Sequence, residues 1–219
     1  MSTLIPENNT KESTIFNIYG NKIVTQDKII DVVAKYDEPL VVVLGSVLTD
    51  EECDALIQAS KDRLERSKIG SSREVSTIRT SSGAFLEDTD HEVVKRIEYR
   101  IAELTGIPVE HGEGLHILNY KPGQEYKAHF DYFAATSKAA SNNRIATVVL
   151  YLNDVEEGGE TYFPNINLSV FPKKGMAVYF EYFYTDEALN ELTLHGGAPV
   201  IEGEKWIATQ WIRRQKLER

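Results

Sequence analysis

From residue 112 onward the chain is written in short runs where apolar and aromatic residues alternate with polar ones: GLHILNY, EYKAHFDYF, RIATVVLYL, GETYF, LSVF, GMAVYFEYF, LTLH and KWIATQWI. Gly, Pro, Asn or Asp separates them, so each reads as a strand bounded by a turn. Upstream the period is different. Thr49 and Glu52 form a capping box, and Cys53, Leu56, Ile57 and Leu64 follow at helical spacing. A second helix is predicted with Asp90 as its N-cap; Val93, Val94, Ile97, Ile101 and Leu104 line one face, and it ends near Gly106 and Pro108. PLVVVLGSVL, from Pro39, reads as a buried strand and turn. Two helices followed by eight short strands predict an α+β, mainly β fold. Its core is a two-sheet jelly-roll barrel, a cupin-like double-stranded β-helix of about eight strands, with helices packed on one sheet.

Three stretches lack such a pattern. Residues 1 to 14 are polar and the sequence stays weakly patterned through Asp37, so residues 1–38 are expected to form a partly disordered N-terminal extension and residues 39–219 the domain. KIGSSREVSTIRTSSGAF and DYFAATSKAASNNR are Ser- and Gly-rich or aperiodic. They predict mobile loops at 68 to 84 and 132 to 143, of the kind that cover a binding site.

Composition narrows the class. The net charge of −10 disfavours nucleic acid as a partner, and no apolar run approaches the roughly 20 residues that span a bilayer, so no membrane association is expected. Eleven Tyr, eight Phe and two Trp suit strands and ligand clefts. The single cysteine, Cys53, rules out an intramolecular disulfide and reads as a small core residue. With no secretory signal visible, a cytoplasmic location is expected.

The chemistry lies in four residues. In a strand, positions i and i+2 share a face, so His129 and Asp131 can reach one metal while Phe130 turns away. His195, from a distant strand, completes two imidazoles and one carboxylate. That set leaves coordination positions open, as non-haem Fe(II) oxygenases require, although zinc hydrolases use similar ligands. Lys205 tips the choice toward iron. Alternation in KWIATQWI puts Lys205, Ile207, Thr209 and Trp211 on one face, and a core-facing lysine calls for an anion. Ferrous iron, the Asp131 carboxylate and dianionic 2-oxoglutarate together carry one net negative charge, which Lys205 cancels. Singly, each residue has an ordinary explanation as a chance pair, a turn histidine or a solvated lysine. In order, on strands, they make a catalytic metal site. His91, His111 and His116 lack comparable partners and read as structural.

The runs LNYKPGQEYKAHFDYF, GGETYFP and LHGGAPVIEGEKWIATQWI, with VLTDEECDALI and RTSSGAFL before them, resemble the catalytic domain of prolyl 4-hydroxylases of the collagen, plant cell-wall and microbial type, from about residue 40 to residue 215. The resemblance implies Fe(II), 2-oxoglutarate and O2 as cofactor and cosubstrates, with ascorbate as reductant, and a proline-containing peptide as substrate. It implies that His129, Asp131 and His195 bind iron and that Lys205, Tyr120 and Thr161 hold 2-oxoglutarate. Tyr126, Arg144 and Trp211 match peptide-groove positions, and Arg79 to Gly83 the covering loop. A different substrate, such as lysine, a free amino acid or a small molecule, is the main alternative. There is one departure in the groove: where plant-type members lead us to expect a histidine shortly after the tryptophan, this chain has Arg213. An exposed strand edge would support a homodimer.

Overall fold

The computed structural model describes residues 16, 19–69, 74–75, 77–87, 91–182 and 190–218. Two antiparallel sheets face each other. The larger has nine strands in the order Lys22–Val24, Ile29–Asp37, Leu40–Gly45, Ala177–Glu181, Arg144–Tyr151, Lys205–Arg213, Leu115–Tyr120, Ser82–Leu86 and Glu65–Arg66. The smaller runs Leu168–Val170, Thr161–Phe163, His195–Gly197 and Tyr126–His129. The eight segments read as strands supply four strands to each sheet, the double-stranded β-helix expected from the sequence.

Strand alternation divides the interior in two. Leu115 and Ile117 face the helices, while Leu118 and Tyr120 face the second sheet; Ala208 and Ile207 divide the same way. The outer core includes Cys53 and Leu56 of helix α1 (Asp50–Ser60) and Val94, Ile97, Ile101 and Leu104 of helix α2 (Glu92–Thr105). The inner core, between the sheets, includes Val149, Tyr151, Phe163 and Phe180. Helix α1 starts with the predicted box: Thr49 accepts from the Glu52 amide at 3.2 Å, and Glu52 accepts from the Thr49 amide at 3.0 Å. Glu52 also pairs with Arg100 at 2.7 Å, and Arg100 reaches Asp27 at 2.6 Å. One nearly buried guanidinium thus ties both helices to the N-terminal strands.

The structure adds detail where the sequence is weakly patterned. The division after residue 38 does not coincide with a break in hydrogen bonding, because Lys22–Val24 and Ile29–Asp37 extend the large sheet through Leu40–Gly45. Their pattern was faint since only one side of this edge is covered, and an irregularity between Val32 and Ala34 interrupts the alternation. The disorder expected for residues 1 to 14 lies outside the described residues. The connection at 68 to 84 contains a short hairpin, Lys68–Ile69 with Glu74–Val75, then Arg79 bridged to Tyr126 and the start of strand Ser82–Leu86. The stretch 132 to 143 carries a 3-10 turn at Lys138–Asn142 and is pinned by Asn143, whose side chain accepts from the Phe133 amide at 2.7 Å and donates to the Phe133 carbonyl at 2.9 Å. Finally, α2 has His91 at its N-cap without a side-chain bond; Asp90 lies outside the described residues.

Candidate metal centre and cosubstrate cleft

The ligand atoms of His129, Asp131 and His195 lie within 4.8 Å of one another. Two short neighbouring strands bring them together, since His195 pairs directly with His129 across the small sheet. The neighbour of His195 must be glycine. A Cβ on Gly196 would stand 2.6 Å from the Tyr162 ring and 2.8 Å from the Tyr126 carbonyl. Asp131 falls just beyond the end of strand Tyr126–His129, so the expectation that the pair would sit within one strand holds for His129 alone.

Both imidazoles are turned the same way. His129 Nδ1 bonds the Lys127 carbonyl at 2.9 Å and His195 Nδ1 bonds the Thr193 carbonyl at 3.0 Å. Each Nδ1 therefore carries the proton, and each Nε2 lone pair faces the carboxylate, 3.3 Å from Oδ1 for His129 and 3.4 Å from Oδ2 for His195. Burial pushes the Asp131 carboxyl up, but the two imidazoles outweigh it and hold it well below the usual carboxylate range. Burial and the neighbouring His195 lower His129. With both Nε2 atoms turned to the carboxylate, the three side chains offer two nitrogen donors and one anionic oxygen donor, a set that fits a divalent cation and leaves positions for exogenous ligands.

Two further residues fix the carboxylate. Thr147 donates to Asp131 Oδ2 at 2.7 Å, and the Tyr182 hydroxyl lies 3.1 Å from Thr147 Oγ1. Sequence reasoning passed over Thr147, although alternation in RIATVVLYL places it on the same inward face as Val149 and Tyr151. A polar side chain among inward positions was the available signal.

Beside the triad a cleft is lined by Lys205, Thr161, Tyr120, Tyr126 and Trp211. Lys205, Ile207, Thr209 and Trp211 all line it, as the alternation requires. Lys205 is 3% exposed and has no carboxylate or hydrogen-bond partner among the described residues; the Tyr120 and Tyr151 rings flank its Nζ at 5.6 and 5.8 Å. Burial lowers its pKa to about 8, and the charge of Glu160 opposes that fall. Thr161 Oγ1 accepts from the Tyr151 hydroxyl at 2.9 Å, so its own proton is free to donate to a ligand.

At the mouth, Arg144 stacks on Trp211 at 3.9 Å and Arg79 on Tyr126 at 4.8 Å. Tyr126 in turn stacks on His129, with ring centroids 3.5 Å apart. Two residues missed by sequence reasoning also stand here. Glu113 grips Arg144, and His116, read as merely structural, faces the cleft side of its strand and stacks on Phe85 at 4.1 Å.

Residues 115–213 match the model of the 2OG-Fe(II) oxygenase superfamily. The chain is 44% identical to prolyl 4-hydroxylase 5 of Arabidopsis thaliana over 200 residues, covering 80% of this chain and 68% of that protein. The chain belongs to the prolyl 4-hydroxylase family. Another member, prolyl 4-hydroxylase 2 of the same plant, is 38% identical over 95% of this chain and 78% of its own length. Among solved structures, the family fold is matched by the viral collagen prolyl hydroxylase of Paramecium bursaria Chlorella virus-1 in its 2OG complex. That match has a TM-score of 0.66 and 33% identity, covering 80% of this chain and 96% of that one. With the His–Asp–His set, family membership makes Fe(II) and 2-oxoglutarate the cofactor and cosubstrate of this enzyme, and the enzyme a dioxygenase.

Proposed function

We propose that this dioxygenase hydroxylates C4 of proline in peptides, with His129, Asp131 and His195 holding ferrous iron. The observation that carries the reading is Lys205, a buried ammonium without an anionic partner among the described residues, in one cleft with the triad. A hydrolytic zinc site needs no such cation. A 2-oxoglutarate site does, because the cosubstrate's far carboxylate must be desolvated and balanced.

When bound, iron supplies the dioxygen chemistry that side chains lack. The chain's own residues bind, orient and exclude water. Lys205 receives the far carboxylate, and the Thr161 and Tyr120 hydroxyls fix its orientation. Trp211 and Tyr126 offer aromatic faces to a proline ring, while Arg79 and Arg144 line the path to it. An extended polyproline segment docks at little entropic cost because it is already stiff. The balance is one oxygen atom into the proline C4–H bond, giving C4–OH, and the other into succinate as carbon dioxide leaves.

Three finer assignments belong to this reading. Ascorbate is the reductant we assign to the rescue of oxidised iron, on the strength of the family resemblance. The cytoplasm is the assigned compartment, which the single buried cysteine supports. Self-association through the edge strand Lys22–Val24 is supported by exposed Val24 and Ile29 on that margin.

Mass spectrometry of proline-rich peptides incubated with the iron-loaded chain and 2-oxoglutarate tests the reaction. A gain of one oxygen on proline with matching succinate release is expected, and both should vanish in Asp131→Ala that retains its circular dichroism. Oxygen gain confined to non-proline substrates would overturn the substrate assignment.

A further inference from the structure

At the outer end of the cleft, positive charge is concentrated in a chain whose net charge is −10. Arg144 and Arg213 are cross-strand partners in the large sheet. Like charges directly opposite one another destabilise a sheet, so something must compensate. Glu113 does so in part. Its Oε1 accepts from Arg144 Nε at 2.7 Å and from Arg213 Nε at 2.6 Å, and its Oε2 accepts from Arg144 Nη2 at 2.8 Å. One carboxylate neutralises one guanidinium. Among the described residues the pair keeps one positive charge without a paired carboxylate, on side chains only 15% and 14% exposed.

Arg79 adds another. It is 4% exposed, lies against Tyr126, and its Nε is buried without a hydrogen-bond partner among the described residues. Arg144 donates a further bond to the Asp131 backbone carbonyl and Arg213 one to the Asn142 carbonyl, neither of which carries a charge. Among the described residues, Glu113 is the one carboxylate in an ion pair with any of the three; the Asp131 carboxylate acts on Arg144 through its field alone and is committed to the metal. His116 does not add to the charge. Burial, then the fields of Arg79 and Arg144, hold its imidazole well below its usual range, and its buried Nδ1 has no hydrogen-bond partner among the described residues.

Partly desolvated cations in excess of their counter-ions are costly unless an anion arrives. This is the relation that gives Lys205 its cosubstrate carboxylate. We infer that the peptide entering this cleft carries a carboxylate beside the target proline, and that Arg213 together with Arg144 receives it. The inference rests on the proposed proline hydroxylation and narrows its substrate to acidic proline-containing peptides. Where the family pattern leads to histidine, Arg213 supplies a permanent charge and a planar donor fork suited to a carboxylate. The carboxylate is either an Asp or Glu side chain or the free end of the peptide chain.

Synthetic peptides distinguish these. Each contains one proline flanked on either side by Asp or Glu, by the isosteric Asn or Gln, or by Lys, all with amidated C-termini; a further neutral peptide keeps its C-terminal carboxylate. With the iron-loaded full chain and 2-oxoglutarate, kcat/KM should be at least about tenfold higher for carboxylate-bearing peptides than for their amides. The difference should reside mainly in KM and shrink as salt is raised. A preference shown only by the free-ended peptide assigns the site to a chain terminus; one shown by internal Asp or Glu assigns it to side chains. In Arg213→Gln the ratio should fall toward one, and in Arg213→Lys an intermediate ratio should survive. Equal kcat/KM for acidic and amide peptides, a salt-independent preference, or an unchanged ratio in Arg213→Gln overturns the inference. Proline hydroxylation without charge preference defeats this inference alone, whereas absence of hydroxylation on every proline peptide defeats the functional reading as well.

Discussion

Asp131 is held from both sides, and this sets what its neighbours contribute. Thr147 has one hydroxyl proton and gives it to Oδ2, which restricts the carboxylate's rotation and leaves Oδ1 the less encumbered oxygen. Thr147→Val keeps the shape of the side chain and removes that bond. Metal affinity, followed by titrating Co(II) or Fe(II) against intrinsic fluorescence, should drop roughly 10- to 100-fold, with Thr147→Ser restoring most of it. Unchanged affinity in the valine variant would show that packing alone fixes the carboxylate. Lys205 makes a second prediction. Its pKa in the free protein is about 8, so above that pH the ammonium must regain a proton before it can receive a carboxylate. Affinity for 2-oxoglutarate, measured by calorimetry, should be steady below about pH 8 and weaken by about tenfold per unit above it. The sign follows from burial, which favours the neutral amine, and a profile that strengthened with pH would contradict it.

At this scale, legibility followed spacing. His129 and Asp131 were visible as a pair, and Lys205 as a cation on an inward face. Thr147 was not, because threonine is an ordinary strand residue and its partner is distant in sequence. Glu113 was missed for a similar reason. It precedes a strand and looks solvated, yet two arginines from different strands close on it.

Among the elements, the long runs with clear periods were read correctly and the half-covered ones were not. A buried strand such as Arg144–Tyr151 shows its pattern on both faces, whereas Ile29–Asp37 is largely exposed and interrupted, so its hydrophobic signal fades. Yet this edge is part of the fold. It covers the margin of Leu40–Gly45 with Ile23 and Ile30, and the turn beside it delivers Asp27 to Arg100. A chain shortened to residues 39–219 loses both. Arg100 then keeps Glu52 and the Val47 carbonyl but loses Asp27, so its buried guanidinium is less fully balanced. Thermal unfolding of the truncated chain should begin well below that of the full chain. Coincident transitions would show that the N-terminal strands are dispensable.

For the molecule as a whole, the two-layer plan follows from one rule applied repeatedly. Each central strand offers alternate residues to two separate cores, one under the helices and one between the sheets. That rule could be applied to the sequence, and it gave the barrel. It could not give the distribution of charge, because an overall acidic balance conceals a basic patch assembled from Arg79, Arg144 and Arg213, which lie far apart in the chain. The exclusion of nucleic acid drawn from net charge therefore describes the average surface, while the cleft has a sign of its own.

The direct pairing of His195 with His129 has a consequence for how the small sheet behaves. Its strands are three and four residues long, and the neighbouring pair meets through few backbone bonds. An ion shared by both histidines works as a rivet through that seam. Losing it would slacken the strand that also carries Tyr126, so filling the centre and shaping the entrance for the peptide are two readings of a single equilibrium.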